Sequence, residues 1–126
     1  MPEGGARTIG DLATLDYVER HIGARYAVLH RTDEMQAGVY VLAPGGRIPA
    51  HRHSTSWDFA LVLEGEIEAQ VGEGGAARVM RCGPHAVNLV PPGTVHAIRN
   101  PSSDAAARFL LVQSPSKGFD FLRAAA

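Results

Sequence analysis

Three histidines and one aspartate carry the chemistry that can be read from this chain. His51 and His53 lie two residues apart in PGGRIPAHRHSTSWDFALVLEG, residues 44–65. Residues i and i+2 of a β-strand project from one face about 6.6 Å apart, so both imidazoles can aim at one point while Arg52 turns away. Ser54 to Trp57 are enough for a tight turn, after which Asp58 opens an apolar strand and offers a carboxylate beside those imidazoles. A third imidazole, His96, follows the Pro91-Pro92-Gly93 turn in VPPGTVHAIRN and begins the next strand. A lone histidine on a strand is more often packed or exposed than ligating, but a His-x-His pair joined by a third His after Pro-x-Gly fits that bland reading poorly. The pattern predicts one divalent metal ion per chain on His51, His53 and His96, with Asp58 as a possible fourth ligand. Such a donor set suits Fe, Zn, Mn, Ni or Cu and does not choose among them.

The elements that must position these side chains read as β-structure. The chain has 126 residues, of which 45% are hydrophobic, so it is long enough for one domain with one core. Short apolar runs rich in β-branched residues alternate with Gly, Pro, Asp and Asn, the pattern of an antiparallel all-β domain. Strands are expected near residues 25–30, 35–43, 48–53, 58–64, 66–71, 77–81, 86–90, 95–100 and 107–113, with a hairpin tip at residues 72–75 and loops at 44–46 and 100–104. Residues 1–24 form an N-terminal arm in which Leu12, Leu15 and Val18 allow a helical turn or an edge strand. Residues 116–126 are expected as a short C-terminal helix or tail.

Trp57, Tyr26, Tyr40 and Gln113 are candidates for the wall of a substrate pocket, and Asn100 for tying down a turn through its amide. His21, His30 and Cys82 read as structural or surface residues, and Glu64, Glu66 and Glu68 as a solvated strand face. Phe59, Leu61 and Leu63 alternate with Asp58, Ala60 and Val62, so they face away from the histidines and need another cover, which points to a homodimer. Twelve basic against thirteen acidic side chains give a net charge of −1 with no basic stripe, which argues against nucleic acid. No apolar run reaches the ~20 residues needed to cross a bilayer, the first ten residues lack the features of a signal peptide, and one cysteine makes no internal disulfide, so a cytoplasmic protein is expected.

The two histidine blocks resemble the paired motifs of the cupin superfamily. Gly45, five residues, His51-Arg52-His53, four residues, Asp58, six residues and Gly65 follow the first motif; Pro91, Gly93, His96 and Asn100 follow the second at its spacings. The resemblance covers roughly residues 38 to 113 and departs from the family twice. Asp58 stands for a Glu one methylene longer, so three roles are open to it: direct ligand, ligand through a water, or orienter of a histidine. His85 stands where the second motif has a turn glycine, and histidine tolerates positive φ better than most residues. The resemblance implies a jelly-roll β-barrel over residues 25–115, a metal, and a small-molecule substrate. With a redox-active ion it implies an oxygenase acting on a diketone, enediol or aromatic, polyketide-like compound. With zinc it implies a non-redox cyclase, isomerase or lyase in which Asp58 is a general base. A non-catalytic binding cupin is the third reading.

Overall fold

Alternation of apolar and polar residues over runs of four to eight residues leaves the chain no stable helical face, and the computed structural model, which describes residues 5–124, is built from eleven strands. These are β1 (Val18–His21), β2 (Ala24–Arg31), β3 (Gln36–Leu42), β4 (Arg47–Arg52), β5 (Trp57–Glu64), β6 (Ile67–Val71), β7 (Arg78–Cys82), β8 (Val87–Val90), β9 (His96–Arg99), β10 (Ala107–Ser114) and β11 (Leu122–Arg123). A single turn of 3-10 helix, Gly74–Ala76, interrupts the β6–β7 connection. All pairings are antiparallel, in one sheet ordered β1-β2-β3-β10-β5-β8 and a second ordered β11-β4-β9-β6-β7. No helix among the described residues is long and apolar enough to cross a membrane.

The inward faces of the two sheets share one core. Leu42 and Phe109 from the first sheet and Ile67 from the second are wholly buried, with Val62, Ile48, Tyr40 and Leu111 around them. Each such side chain contributes about 1.5–3 kcal/mol through removal of its surface from water. Parity along β5 follows the expected alternation: Asp58, Ala60 and Val62 are buried, whereas Trp57 and Phe59 are about half exposed on the other face.

Three expectations are corrected, and one open alternative is decided. The hydrogen-bonded order leaves β1 and β8 as edges of one sheet and β11 and β7 as edges of the other, so the structure is two facing open sheets rather than a closed barrel. The arm adopts the edge-strand alternative, because Val18–His21 can satisfy backbone groups against β2, while residues 12–15 form turns. The C-terminal helix is absent through residue 124; Ala125 and Ala126, and the first four residues of the arm, lie outside the described residues. The tail instead runs extended, pairing Leu122 with Arg52 and Arg123 with His51, because β4 offers an otherwise unpaired edge and alternate residues Phe119 and Phe121 can reach inward. Lastly, Glu68 is not solvated: it is 7% exposed, clasped by Arg99 at 2.7 Å and Arg81 at 3.2 Å on the outer face of its sheet.

Two motif positions do what their residue types allow. His85 takes φ 74°, the one non-glycine residue at positive φ among those described, and holds the turn into β8. Asn100, 1% exposed, donates from Nδ2 to the carbonyls of Leu42, Ala43 and Ala105 and accepts from the Ser102 amide at 2.9 Å. It therefore ties the β3–β4 loop to the loop before β10. Asn100→Ala is expected to lower the stability of the metal-free protein by about 3 kcal/mol, the upper end of the cost of orphaning one buried polar group, since three carbonyls lose a donor. The drop is read as a lower urea midpoint at unchanged m-value.

Candidate metal centre

His51, at the end of β4, and His53, just beyond it, sit opposite β9, where His96 pairs directly with His51. Asp58 enters from β5 of the other sheet. The ligating atoms of these four buried residues all lie within 4.8 Å of one another.

The outer ring nitrogens settle what the inner ones present. His51 Nδ1 meets the Pro49 carbonyl at 2.7 Å, His53 Nδ1 the Asp120 carbonyl at 2.6 Å and His96 Nδ1 the Thr94 carbonyl at 3.0 Å. A carbonyl only accepts, so each Nδ1 carries the proton, and in a neutral ring Nε2 keeps its lone pair. These lone pairs face Asp58 Oδ2, which lies 2.9 Å from His96 Nε2 and 3.3 Å from His53 Nε2. Four buried acceptors around one point require a cation: a proton in the metal-free protein, a metal ion when one is bound. The residues fit a divalent metal.

Asp58 is held as an acceptor from its other side as well. Arg31 Nε donates to Gln36 Oε1 at 3.0 Å, Gln36 Nε2 to Gln113 Oε1 at 2.6 Å, and Gln113 Nε2 to Asp58 Oδ1 at 2.9 Å. The four residues are cross-strand neighbours on β2, β3, β10 and β5. Since guanidinium only donates, it fixes both amides in turn, and Asp58 receives an N–H. Burial would raise the Asp58 carboxyl, but the donors from His53 and His96 outweigh it and hold the group well below the usual carboxylate range. Burial, with His96 beside it, drops His51 to about 3. Burial also pulls His53 down, yet the hydrogen bond and charge of Asp58 overcome that and raise it.

Above the histidines lies a cavity of about 220 Å³ between the sheets. Of the residues expected at a pocket wall, Tyr26, Tyr40 and Gln113 line it; Trp57, 45% exposed, does not, because one position before Asp58 on a strand faces the other way. Burial lifts Tyr40 to about 12 and also raises Tyr26, so both keep their phenolic protons. Tyr26 fits only because residue 38 is glycine: a Cβ there would run into its ring.

Several lining residues carry no local motif. Arg20 and His21 come from β1, and Phe119 and Phe121 from the tail. Phe121 stacks flat on His51, centroids 4.0 Å apart, while Phe119 packs 4.9 Å from His53. Asp120 between them caps the His-x-His turn, accepting from Ser54 N at 2.7 Å and Ser54 Oγ at 2.5 Å. The Phe-Asp-Phe alternation was the available signal, since that period is a strand's, not a helix's.

A profile of the cupin domain family matches residues 38–113, from β3 to β10. The chain is a cupin. It is 40% identical over 78 residues to oryzines biosynthesis cluster protein J of Aspergillus oryzae (strain ATCC 42149 / RIB 40), a match spanning 62% of this cupin but only 41% of that relative's length. The cupin domain of Schizosaccharomyces pombe Cnp3 superposes with a TM-score of 0.74 at 23% identity, covering 86% of this chain and 74% of that one. An oxalate oxidase structure superposes with a TM-score of 0.75 at 16% identity, covering 97% and 66%. At those identities the two structures speak for the fold.

His51→Ala and His96→Ala are each expected to abolish stoichiometric metal, measured by elemental analysis. Gln113→Leu leaves Asp58 Oδ1 without its donor and is expected to lower metal affinity about 10–100-fold in a chelator competition. The signs of the histidine shifts also predict proton release. His53, raised, binds protons more strongly than a free imidazole, and a metal on its Nε2 must displace them, whereas His51, dropped to about 3, holds none. Metal loading near pH 6.5 should therefore release protons, and the release should shrink as the pH rises, read as the buffer dependence of the calorimetric heat.

Proposed function

We propose that this cupin is a metal-dependent enzyme acting on a compact small molecule, an oxygenase for a substrate with an oxygen pair such as a β-diketone or enediol. The observation that carries the reading is the orientation of Asp58. Gln113 occupies Oδ1 and leaves Oδ2 facing the three Nε2 atoms, which favours a ligand set with a negative charge over a neutral three-histidine face. When bound, a redox-active ion in such a set supplies electron transfer to O2 and polarises the oxygens of a chelating substrate.

The chain's own residues do the rest. His51, His53 and His96 are oriented before any ion arrives, because each ring is pinned at Nδ1. Phe119 and Phe121 shield the histidines from water, and Tyr40, neutral, can donate a hydrogen bond to substrate. The cavity, about 220 Å³, suits a compact molecule and not a polymer. A relative named for a biosynthesis cluster lends support to small-molecule chemistry.

The test is metal analysis of protein purified without chelators, followed by O2 consumption against β-diketones, enediols and catechols. Asp58→Asn keeps the shape and removes the charge. As a ligand, Asp58 should lose metal affinity by about tenfold or more on that change. If metal content survives while turnover falls by about 10²–10⁴, Asp58 is a general base and the reading moves to zinc-type cyclase, isomerase or lyase chemistry.

A homodimer belongs to the same proposal. Trp57, Phe59, Val87 and Leu89, adjacent on β5 and β8 with Phe59 paired to Leu89, are 45–56% exposed, and a contiguous apolar face of this kind calls for cover. Sedimentation at micromolar concentration should give a dimer that Phe59→Lys with Leu89→Lys converts to monomer; a monomeric parent protein refutes it.

A further inference from the structure

Every Lys or Arg lining the metal cavity is a single residue, Arg20. It projects from β1, and its guanidinium carbon lies 4.4 Å from the centroid of the Tyr26 ring. Tyr26 in turn packs against Tyr40 with ring centroids 4.6 Å apart. The cation therefore sits at the phenol-lined part of the cavity, where its charge acts on both tyrosines. Among the described residues no carboxylate pairs with it: the carboxylates in ion pairs are Asp58, with two histidines, Glu68, with Arg81 and Arg99, and Glu64, with Arg108. Asp58, the one carboxylate lining the cavity, is committed to Gln113 and the histidines.

We propose that Arg20 is the anion seat of this cavity and that the substrate carries a carboxylate at the end remote from the metal-facing oxygens. The proposal rests on the small-molecule reading above and narrows its substrate class to acidic compounds. Arg20 hydrogen-bonds the Tyr40 side chain, which uses one of its five N–H donors; of those that remain, two parallel N–H groups match the two oxygens of a carboxylate. Tyr40, which keeps its proton, adds a neutral donor nearby. Charge balance agrees. A bound divalent ion with Asp58 and Arg20 leaves the cavity at +2, which a substrate offering an enolate at one end and a carboxylate at the other neutralises.

The test uses metal-loaded protein under argon and two probes that share a β-diketone: 4,6-dioxoheptanoate, which carries a carboxylate, and heptane-2,4-dione, which does not. Calorimetry should find the acid bound about 10–100-fold more tightly than the dione, the range expected for a charge-assisted hydrogen-bonded pair. Arg20→Gln should remove that advantage while leaving dione affinity and metal content unchanged. Arg20→Lys, which keeps charge but not the fork, should retain part of it. Equal affinity for the two probes in the parent protein, no binding of the acid, or an Arg20→Gln loss that is equal for both probes would each overturn the proposal; the last would make Arg20 a cover for Tyr26. Because binding is read without O2, an Arg20-dependent preference with no O2 consumption for any substrate sinks the oxygenase reading alone. O2 consumption without the preference sinks the anion seat alone.

Discussion

A carboxylate taken out of water needs a donor or a cation on each oxygen, and Asp58, 5% exposed, imposes that demand on both sheets. One oxygen is met by histidines from the opposite sheet. The other is met by an amide whose orientation is set two residues away, through Gln36, by Arg31. The row Arg31, Gln36, Gln113, Asp58 runs across four strands in register, so the centre and the pairing of β2, β3, β10 and β5 are the same fact seen twice. A slip of one residue in any of those pairs would turn its member outward and leave the carboxylate unmatched. The histidines obey the same logic in reverse: anchored at Nδ1, they bring lone pairs to the point that Asp58 already makes negative.

The two ends of the chain complete what the core begins. Strand β1 supplies Arg20 and His21, and the tail supplies Phe119, Asp120 and Phe121. Both are thinly attached, β1 as an edge strand of four residues and β11 as an edge strand of two. The inner ligand shell is thus built on well-paired strands, while part of the cavity wall, Arg20, His21, Phe119 and Phe121, belongs to elements whose local opening costs least. Precision sits at the metal and compliance at the mouth, a division that suits a site that must admit a substrate.

The outer faces of the sheets show a second division. On the five-stranded sheet, Glu68 is buried beneath two arginines, with Arg99 donating to Oε1 and Arg81 pairing by charge with Oε2. On the six-stranded sheet, β5 and β8 expose Phe59, Leu89, Trp57 and Val87 to solvent. The same alternation that points Asp58 at the metal forces Trp57 and Phe59 outward, which couples the inner site to whatever covers that outer face.

Much of the centre was legible in sequence because its signals are local. His51 and His53 share a face through the period of a strand, Asp58 follows a turn of known reach, His96 follows Pro-x-Gly, and Asn100 and His85 hold turns that their side chains are suited to hold. Trp57 was misread despite a local rule, since parity with Asp58 already sent it to the other face. The remainder depended on contacts between distant parts of the chain. Gln36 meets Gln113 across 77 residues, and His53 meets Asp120 across 67. Arg20 reaches the cavity only because β1 pairs with β2, and the tail expected as a helix runs extended over residues 119–124 because β4 has a free edge and the histidine rings offer two phenylalanines a surface. Periodicity and turn chemistry act over a few residues and are written in order along the chain. Cross-strand partners and the occupant of an exposed edge are chosen by register and packing, which exist only once the sheets have formed.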